Sequence, residues 1–160
     1  MNQYLILLAY IVIGTSCQES DTSSPVPELG FIKMSRSSMD QGDLNQDSVL
    51  LSFSFKDGDG DLGQGSSSPV RDISVIDVRT GLISDQFKLP DIPDAKGKPI
   101  TGDFTIRLFT TCCIFPLMIP PCTAPPQFPY DTIQYEVFIK DRAGHESNHV
   151  RTPELVLNCK

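Results

Sequence analysis

Three aspartates alternate with glycines in one short run of the chain, and they are the residues with the clearest potential for chemistry. The run reads F-K-D-G-D-G-D-L-G-Q-G and contains Asp57, Asp59 and Asp61. Ca²⁺ takes about six to eight oxygen ligands, and carboxylates at alternate positions of a glycine-containing loop can supply several. An EF-hand loop would need Gly and Glu where this run has Leu62 and Ser68, so it is not an EF-hand. We expect Ca²⁺ here; the other interpretation is a solvated loop whose aspartates form turns and bind no ion.

Three carboxylates do not complete a calcium shell, so other parts of the chain must add ligands. Asp72 closes the same loop at the start of the next strand, and Asp141 begins a second polar turn, D-R-A-G-H-E-S-N. We expect Asp72 and Asp141 to join the site, with Glu146 and Asn148 as weaker candidates. This requires the two loops to emerge at the same end of the fold.

Alternation of apolar and polar residues predicts the β-strands that position these loops. Within 46–56, every second residue from Val49 to Phe55 is apolar, which is typical of a half-buried strand. Further strands are expected at 29–35, 72–79, 104–109, 132–140 and 149–157, with a short edge strand at 84–88. The proline-rich stretch 89–99 is predicted to be a surface connection. The sequence therefore predicts an all-β fold, a single immunoglobulin-like Greek-key β-sandwich of about seven strands, in which the two polar loops share one end.

The N-terminus has an apolar run at 4–13 that is followed by the segment I-G-T-S-C, ending at Cys17. This segment resembles the lipobox of bacterial lipoproteins, in which the cysteine becomes the lipidated first residue. The resemblance implies a signal peptide at 1–16, a lipid on Cys17 and a flexible acidic tether at 17–28. The alternative is an ordinary secretory signal, with Cys17 paired elsewhere.

Two motifs taken together resemble envelope lipoproteins of Bacteroidota with Ig-like or cadherin-like domains. These are D-G-D-G-D-L-G after the second strand and D-R-A-G-H-E-S-N near the end. The resemblance covers most of 29–158 and implies a fold and an address, but no activity. We expect a domain at 29–160, held at the outer membrane or cell surface by the lipid on Cys17, with a protein or glycan partner.

The overall charge narrows the classes of partner. The chain has 160 residues, enough for one domain, and a net charge of -7. A basic surface that could follow a phosphate backbone is missing, which argues against nucleic acid as a partner. Cations are the better expectation.

Four cysteines besides Cys17 are expected to form disulfides, which an exported protein permits. They are Cys112, Cys113, Cys122 and Cys159. In the predicted topology Cys159 ends the last strand at the pole that also holds the other three. We expect one bond from Cys159 to that loop and one within the loop, with the strained Cys112–Cys113 pair disfavoured. Zinc is the other interpretation, but no CxxC pair or partnered histidine supports it.

No residue set in the sequence indicates catalysis. The only histidines are His145 and His149, in or beside the final turn, where exposed side chains are expected. No GxSxG, HExxH or phosphate-binding glycine loop is present. The sequence therefore predicts that the protein is not an enzyme.

The proline-rich stretch 112–130 includes an apolar segment at 114–121. An exposed apolar segment would indicate a contact surface, whereas a folded-back one would cover the open end of the core. We expect a non-catalytic, lipid-anchored binding or scaffold module with a calcium-stabilised loop. The alternatives are a purely structural envelope lipoprotein and an accessory domain of a surface glycan-handling system.

Overall fold

The structure is a computed structural model that describes residues 24–93 and 95–160. The predicted signal peptide and Cys17 lie outside the described residues. The strands are β1 (Glu28–Met34), β2 (Ser38–Asp40), β3 (Ser48–Asp57), β4 (Ile73–Asp77), β5 (Leu82–Phe87), β6 (Ile100–Phe109), β7 (Tyr130–Ile133), β8 (Tyr135–Ile139), β9 (Val150–Arg151) and β10 (Leu155–Asn158). Across these two ranges, no helix has the length and apolar character that crossing a membrane requires.

One layer of the fold is a three-stranded antiparallel sheet in the order β1-β3-β6. Its central strand β3 directs Val49, Leu51 and Phe53 into the core, where each is 0% exposed. Phe53 stacks on Phe104 of β6, with ring centroids 5.6 Å apart. The period-two pattern in this part of the sequence therefore corresponds to a strand with one buried face.

The other layer consists of two sheets, in the orders β5-β4-β8-β9 and β2-β10-β7. Both contain part of the final antiparallel hairpin, because β7 leads into β8 and β9 leads into β10. At the junction the Thr152 N–H donates to the Tyr135 carbonyl at 2.9 Å, and the Tyr135 N–H donates to the Thr152 hydroxyl at 3.0 Å. These two bonds keep the hairpin joined where its strands pass between sheets.

The all-β class is confirmed, but the described residues form ten strands where the sequence predicts about seven. Two of the additional strands arise because the predicted strands at 132–140 and 149–157 are each interrupted at the junction. The third is β2, a three-residue strand parallel to β10 in which only Met39 is buried. A strand of this length is too short to show a period in the sequence. The predicted edge strand at 84–88 is β5, which does lie at a sheet edge.

Both disulfides form in the pattern that the sequence predicts. Cys113 bonds to Cys159, and both are buried; we call this the core disulfide. Cys112 bonds to Cys122 and closes a short loop; we call this the loop disulfide. These bonds leave none of the four cysteines as a thiolate, so the alternative of a zinc site among them is wrong.

The ten strands, the core and both disulfides all lie within residues 24–160. This segment has a hydrophobic core of its own, which is what a domain needs in order to fold independently.

Candidate functional site

Four aspartates from two loops converge at one end of the sandwich, and we call them the acidic cluster. Asp57 is the last residue of β3, Asp59 and Asp61 follow it, and Asp141 begins the turn between β8 and β9. One carboxylate oxygen from each of the four lies within 4.8 Å of the chosen oxygens of the other three. Ligands on opposite sides of a calcium ion are about 4.6–5.2 Å apart, twice the usual ligand distance. Four oxygens in this space therefore fit within one coordination shell.

Several oxygens of the cluster are buried without a hydrogen-bond partner among the residues that the structure describes. These atoms are the Oδ1 oxygens of Asp57, Asp59 and Asp61. The Asp57 residue is 0% exposed. Buried polar atoms without partners are unfavourable, and they are rare in folded proteins. A single cation can satisfy all three of these oxygens at once, whereas an ordinary acidic loop would have its oxygens in water.

Burial and neighbouring negative charges raise the pKa values of two members of the cluster. Burial raises the pKa of Asp57 to about 6, and the neighbouring carboxylates of Asp59 and Asp61 contribute to the rise. Burial also raises the pKa of Asp61, with Asp141 and Asp59 as like-charged neighbours. A divalent cation among the carboxylates would favour their ionised forms and reverse these shifts.

The loop after β3 is shaped by contacts that leave one oxygen of each carboxylate free. Asp57 Oδ2 accepts the Leu62 N–H at 2.9 Å, and the Leu62 side chain is fully buried, so the loop bends back onto the core. Gly60 has a φ of +71°, and a Cβ at this position would collide with the carbonyl oxygen of Lys98. The alternation of aspartate with glycine therefore reflects a close backbone approach in addition to the ligand spacing.

Hydrogen bonds join the two loops that contribute to the cluster. Asp61 Oδ2 accepts the Ala143 N–H at 3.1 Å, and the Gln64 amide donates to the Asp141 carbonyl at 3.0 Å. Asp141 Oδ1 accepts the His145 backbone N–H at 2.8 Å, and its Oδ2 lies 2.8 Å from His145 Nδ1. The two loops therefore meet at one end of the sandwich, as the sequence predicts.

Asp72 lies outside the acidic cluster, contrary to its expected place in the shell. Its residue is 1% exposed, and its Oδ2 accepts the Leu89 N–H at 3.0 Å. Its Oδ1 is another buried oxygen without a partner among the described residues, and burial raises the pKa of its carboxyl group. The Asp72 carbonyl accepts the Lys140 N–H at 2.8 Å, so the residue joins two strands behind the cluster.

The weaker candidates have other partners. Glu146 contacts Lys140 and His149, and the Asn148 side chain bonds to the backbone of Leu29. His145 also contacts the acidic cluster, through Asp141, which the sequence did not indicate. The carboxylate of Asp141 raises the pKa of His145. Asp141 and His145 are four residues apart in a short turn, and this spacing could have indicated their contact.

The apolar segment at 114–121 lies at the pole that holds the two disulfides, and its side chains point in different directions. Phe115 is partly buried against the core, with its ring centroid 6.1 Å from that of Phe128. Leu117 and Met118 are 86% and 98% exposed. One part of the segment therefore folds back against the core, and another part is exposed to solvent.

Leu117 and Met118 also adopt an unusual backbone conformation, with φ values of 60° and 55°. They are the central residues of a turn in which the Ile119 N–H donates to the Pro116 carbonyl at 3.4 Å. Turns with two positive φ values normally contain asparagine or glycine, because other side chains are strained there. The turn holds two large apolar side chains in solvent at an energetic cost.

A polar cavity of about 230 Å³ opens between β5 and β6 near the same pole. Its walls include Asp77, Asp85, Asn45 and the buried Tyr135. Burial raises the pKa of Tyr135 to about 12, so its hydroxyl is protonated at physiological pH. None of the described residues forms a hydrogen bond with this hydroxyl, which leaves it free to bind a ligand. The cavity could not be predicted from the sequence, because its walls come from separate segments.

Comparisons with known proteins add little to this description. Neither a protein family nor a curated protein matches the chain. The chain is similar to the crystal structure of a Niemann-Pick type C2 protein from the Japanese carpenter ant, with 9% identity and a TM-score of 0.42. The alignment covers 86% of this chain and 97% of that chain. A likeness at this level carries no argument about function.

Proposed function

We propose that the chain is a non-catalytic β-sandwich module of the cell envelope, stabilised by calcium and used for binding or scaffolding. The observation that carries this proposal is the acidic cluster, in which the Oδ1 oxygens of Asp57, Asp59 and Asp61 are buried and lack hydrogen-bond partners within the described part of the chain. A cation satisfies these oxygens and joins two loops at the same time.

The donor set favours calcium over zinc and magnesium. All four donors of the cluster are carboxylate oxygens, which suit hard cations, and the cysteines are at the opposite pole in disulfides. Magnesium keeps several waters and requires near-ideal octahedral geometry. Four carboxylates from two loops, two of them buried, fit the larger and more adaptable shell of calcium.

The ion would act on structure and not on a substrate. Asp57 is fully buried, Asp61 accepts the Ala143 N–H of the facing loop, and Asp141 accepts the His145 N–H of its own turn. A catalytic metal needs an open coordination position that a substrate can reach. Stabilisation of the two loops is the role that these contacts support.

The same proposal includes the cellular location of the protein and its immunoglobulin-like topology. The lipobox-like segment ending at Cys17 supports a lipid anchor at the outer membrane or cell surface, and two disulfides fit an oxidising compartment. The sheet order β1-β3-β6 opposite β5-β4-β8-β9 supports a relation to immunoglobulin-like Greek-key sandwiches. The alternative is a purely structural envelope lipoprotein, which would bind no partner.

Isothermal titration of Ca²⁺ into residues 24–160 tests the ion site directly. We expect one ion per chain, and we expect Asp59→Asn and Asp61→Asn each to abolish the binding heat. The control is Asp43→Asn, because Asp43 is exposed in a loop away from the cluster. Absence of binding, or binding that both cluster variants retain, would reject the calcium site.

The polar cavity favours a second function, the binding of a small hydroxylated ligand such as a glycan unit. The protonated Tyr135 hydroxyl can donate a hydrogen bond, and Asp85 can accept one. NMR titration with simple sugars tests this, with Tyr135→Phe as the matched variant. We expect shifts at the cavity that the variant loses; shifts elsewhere, or none, would reject this function.

A further inference from the structure

Strand β6 has one unpaired edge. It is ten residues long, and among the strands of residues 24–93 and 95–160 it pairs only with β3. Its sequence, I-T-G-D-F-T-I-R-L-F, contains no proline, and its pairing with β3 is regular, without a bulge. Natural proteins usually shorten, block or cover such an edge, since its free backbone groups can pair with another chain.

The pairing with β3 determines which backbone groups of β6 are free. The Thr110 N–H donates to the Asp47 carbonyl at 2.9 Å, directly after the end of the strand. Residues that bond to the neighbour alternate along an antiparallel strand with residues that do not. The even-numbered residues of β6 therefore bond to β3. The odd-numbered residues from Thr101 to Phe109 direct their N–H and C=O groups to the unpaired edge.

Two opposite charges lie on these odd-numbered positions. Asp103 and Arg107 are exposed on the outer face, and each is two residues from Thr105. Neither forms a hydrogen bond or an ion pair with another described residue. The edge therefore presents one negative and one positive side chain, symmetrically placed about Thr105.

We propose that a second copy of this chain pairs with this edge, β6 against β6 in antiparallel orientation, with the two Thr105 residues opposite each other. In this register Asp103 lies opposite Arg107 of the second copy, and Arg107 lies opposite Asp103 of the second copy. Every odd-numbered residue also lies opposite an odd-numbered one, so the free N–H and C=O groups meet. Opposite charges at facing positions stabilise an antiparallel pair.

The charges select this register from its neighbours. A shift that centres the two-fold axis on Asp103 places two carboxylates opposite each other, and a shift to Arg107 does the same with two guanidinium groups. Like charges directly opposite destabilise a strand pair. Registers centred on 104 or 106 pair each charged residue with a threonine or, for Asp103 in the second of them, with Phe109, and gain no charge attraction.

The second layer of the sandwich has an edge on the same side. The cavity described above is lined by residues of both β5 and β6, and β5 is itself an edge strand. Leu82 and Ile83 of β5 are 69% and 54% exposed. A two-fold axis perpendicular to the β6 sheet places the second layers of both copies on the same side of the joined β6 sheet. The β5 edge of each copy, with Leu82 and Ile83, then lies on the side that faces the other copy.

Sedimentation analysis of residues 24–160 over a range of concentrations tests the pairing. We expect a concentration-dependent dimer, with a Kd that rises about tenfold or more in Asp103→Arg and in Arg107→Asp, because each replaces attraction by repulsion. The matched control is Asp43→Arg, which makes the same charge change in an exposed loop and should leave the Kd unchanged. Circular dichroism checks that each variant is folded.

Mixing the two charge variants gives the decisive result. Asp103→Arg has two positive positions and Arg107→Asp has two negative ones, so the pair should form a heterodimer although each alone does not dimerise well. The double exchange, with both substitutions in one chain, should restore self-association. A wild-type chain that is monomeric up to about 1 mM, or a mixture that shows no preference for the heterodimer, would overturn the proposal.

Discussion

Replacing Asp59 by Asn should change the stability of the protein in opposite directions with and without calcium. Asp59 lies in the middle of the acidic cluster, and its Oδ1 lacks a partner in the described part of the chain. Asparagine has nearly the same shape but no charge, so the substitution removes repulsion together with one strong ligand. The two effects can be separated by adding or removing the ion.

Without an ion, the raised pKa of Asp57 measures the repulsion and burial that the folded state must overcome. The pKa rises from 3.8 to about 6, which at neutral pH corresponds to at most about 3 kcal/mol of lost stability. Burial is the first cause and Asp59 is a smaller one, so Asp59→Asn should stabilise the ion-free protein by about 1 kcal/mol.

The pH dependence has a definite sign. A folded state that holds a proton more tightly than the unfolded state loses stability as pH rises. The ion-free protein should therefore become less stable between the ordinary carboxyl pKa near 3.8 and the raised value near 6. Asp59→Asn should make this decrease shallower.

With calcium at about a hundred times its Kd, the wild type should gain about 2.7 kcal/mol. For a domain of this size that corresponds to a rise in Tm of about 10 °C. Asp59→Asn should lose most of this rise, because its amide oxygen is a weaker ligand than a carboxylate.

Thermal unfolding of residues 24–160 at two pH values, in calcium and in chelator, measures all of these quantities. Asp43→Asn is the matched control and should behave like the wild type. The reasoning is refuted if calcium leaves the Tm of the wild type unchanged, or if Asp59→Asn destabilises the ion-free protein. In the second case the cluster would be held by hydrogen bonds of its own, without need of an ion.

Three further predictions concern the remaining parts of the fold. Removing the core disulfide, which spans 46 residues, should cost about 4 kcal/mol, and removing the loop disulfide, which spans 10, should cost about 2.7 kcal/mol. Urea unfolding of the paired Cys→Ser variants measures both, and equal losses would contradict the loop-length argument. Replacing Leu117 by Asn together with Met118 by Gly should stabilise the protein by about 1–2 kcal/mol in the same assay, because both positions have positive φ; a loss would show that these side chains make stabilising contacts. Glu136 and Glu146 raise the pKa of His149, so the stability from its charged form should be present below about pH 6.5 and decline as pH rises through the raised pKa. His149→Gln should flatten that decline in calcium-loaded protein, and an unchanged pH profile would show that these contacts do not affect stability.

The sequence predicted the all-β class and most strands because one buried face imposes a period of two, as in β3. It did not predict the interruption of the last two strands. That interruption depends on bonds between Thr152 and Tyr135, which are far apart in sequence and carry no period. The strand β2 was missed for a related reason, since three residues with one buried side chain resemble a loop.

The candidate site was predictable where residue type and topology sufficed. Alternating aspartates indicated the loop, and the expected sandwich placed Asp141 at the same end. The exclusion of Asp72 was not predictable, because residues that close a loop can face either the cluster or the core. The backbone N–H of Leu89 draws the Asp72 side chain to the core side. The polar cavity could not be predicted, because the residues that line it are far apart in the sequence and form no motif.

The two poles of this small sandwich are closed by different means, and the difference has a consequence for where the protein can exist. The core disulfide closes one pole, and the proposed calcium ion would join the loops of the other. These sites lie at opposite ends and share no residues, so their contributions should add. Their sum, about 4 and about 2.7 kcal/mol, is comparable to the whole stability of a typical domain, about 5–15 kcal/mol. With the proposed ion site, the chain would depend on an oxidising compartment that contains calcium, and outside such a compartment its folded state would be marginal.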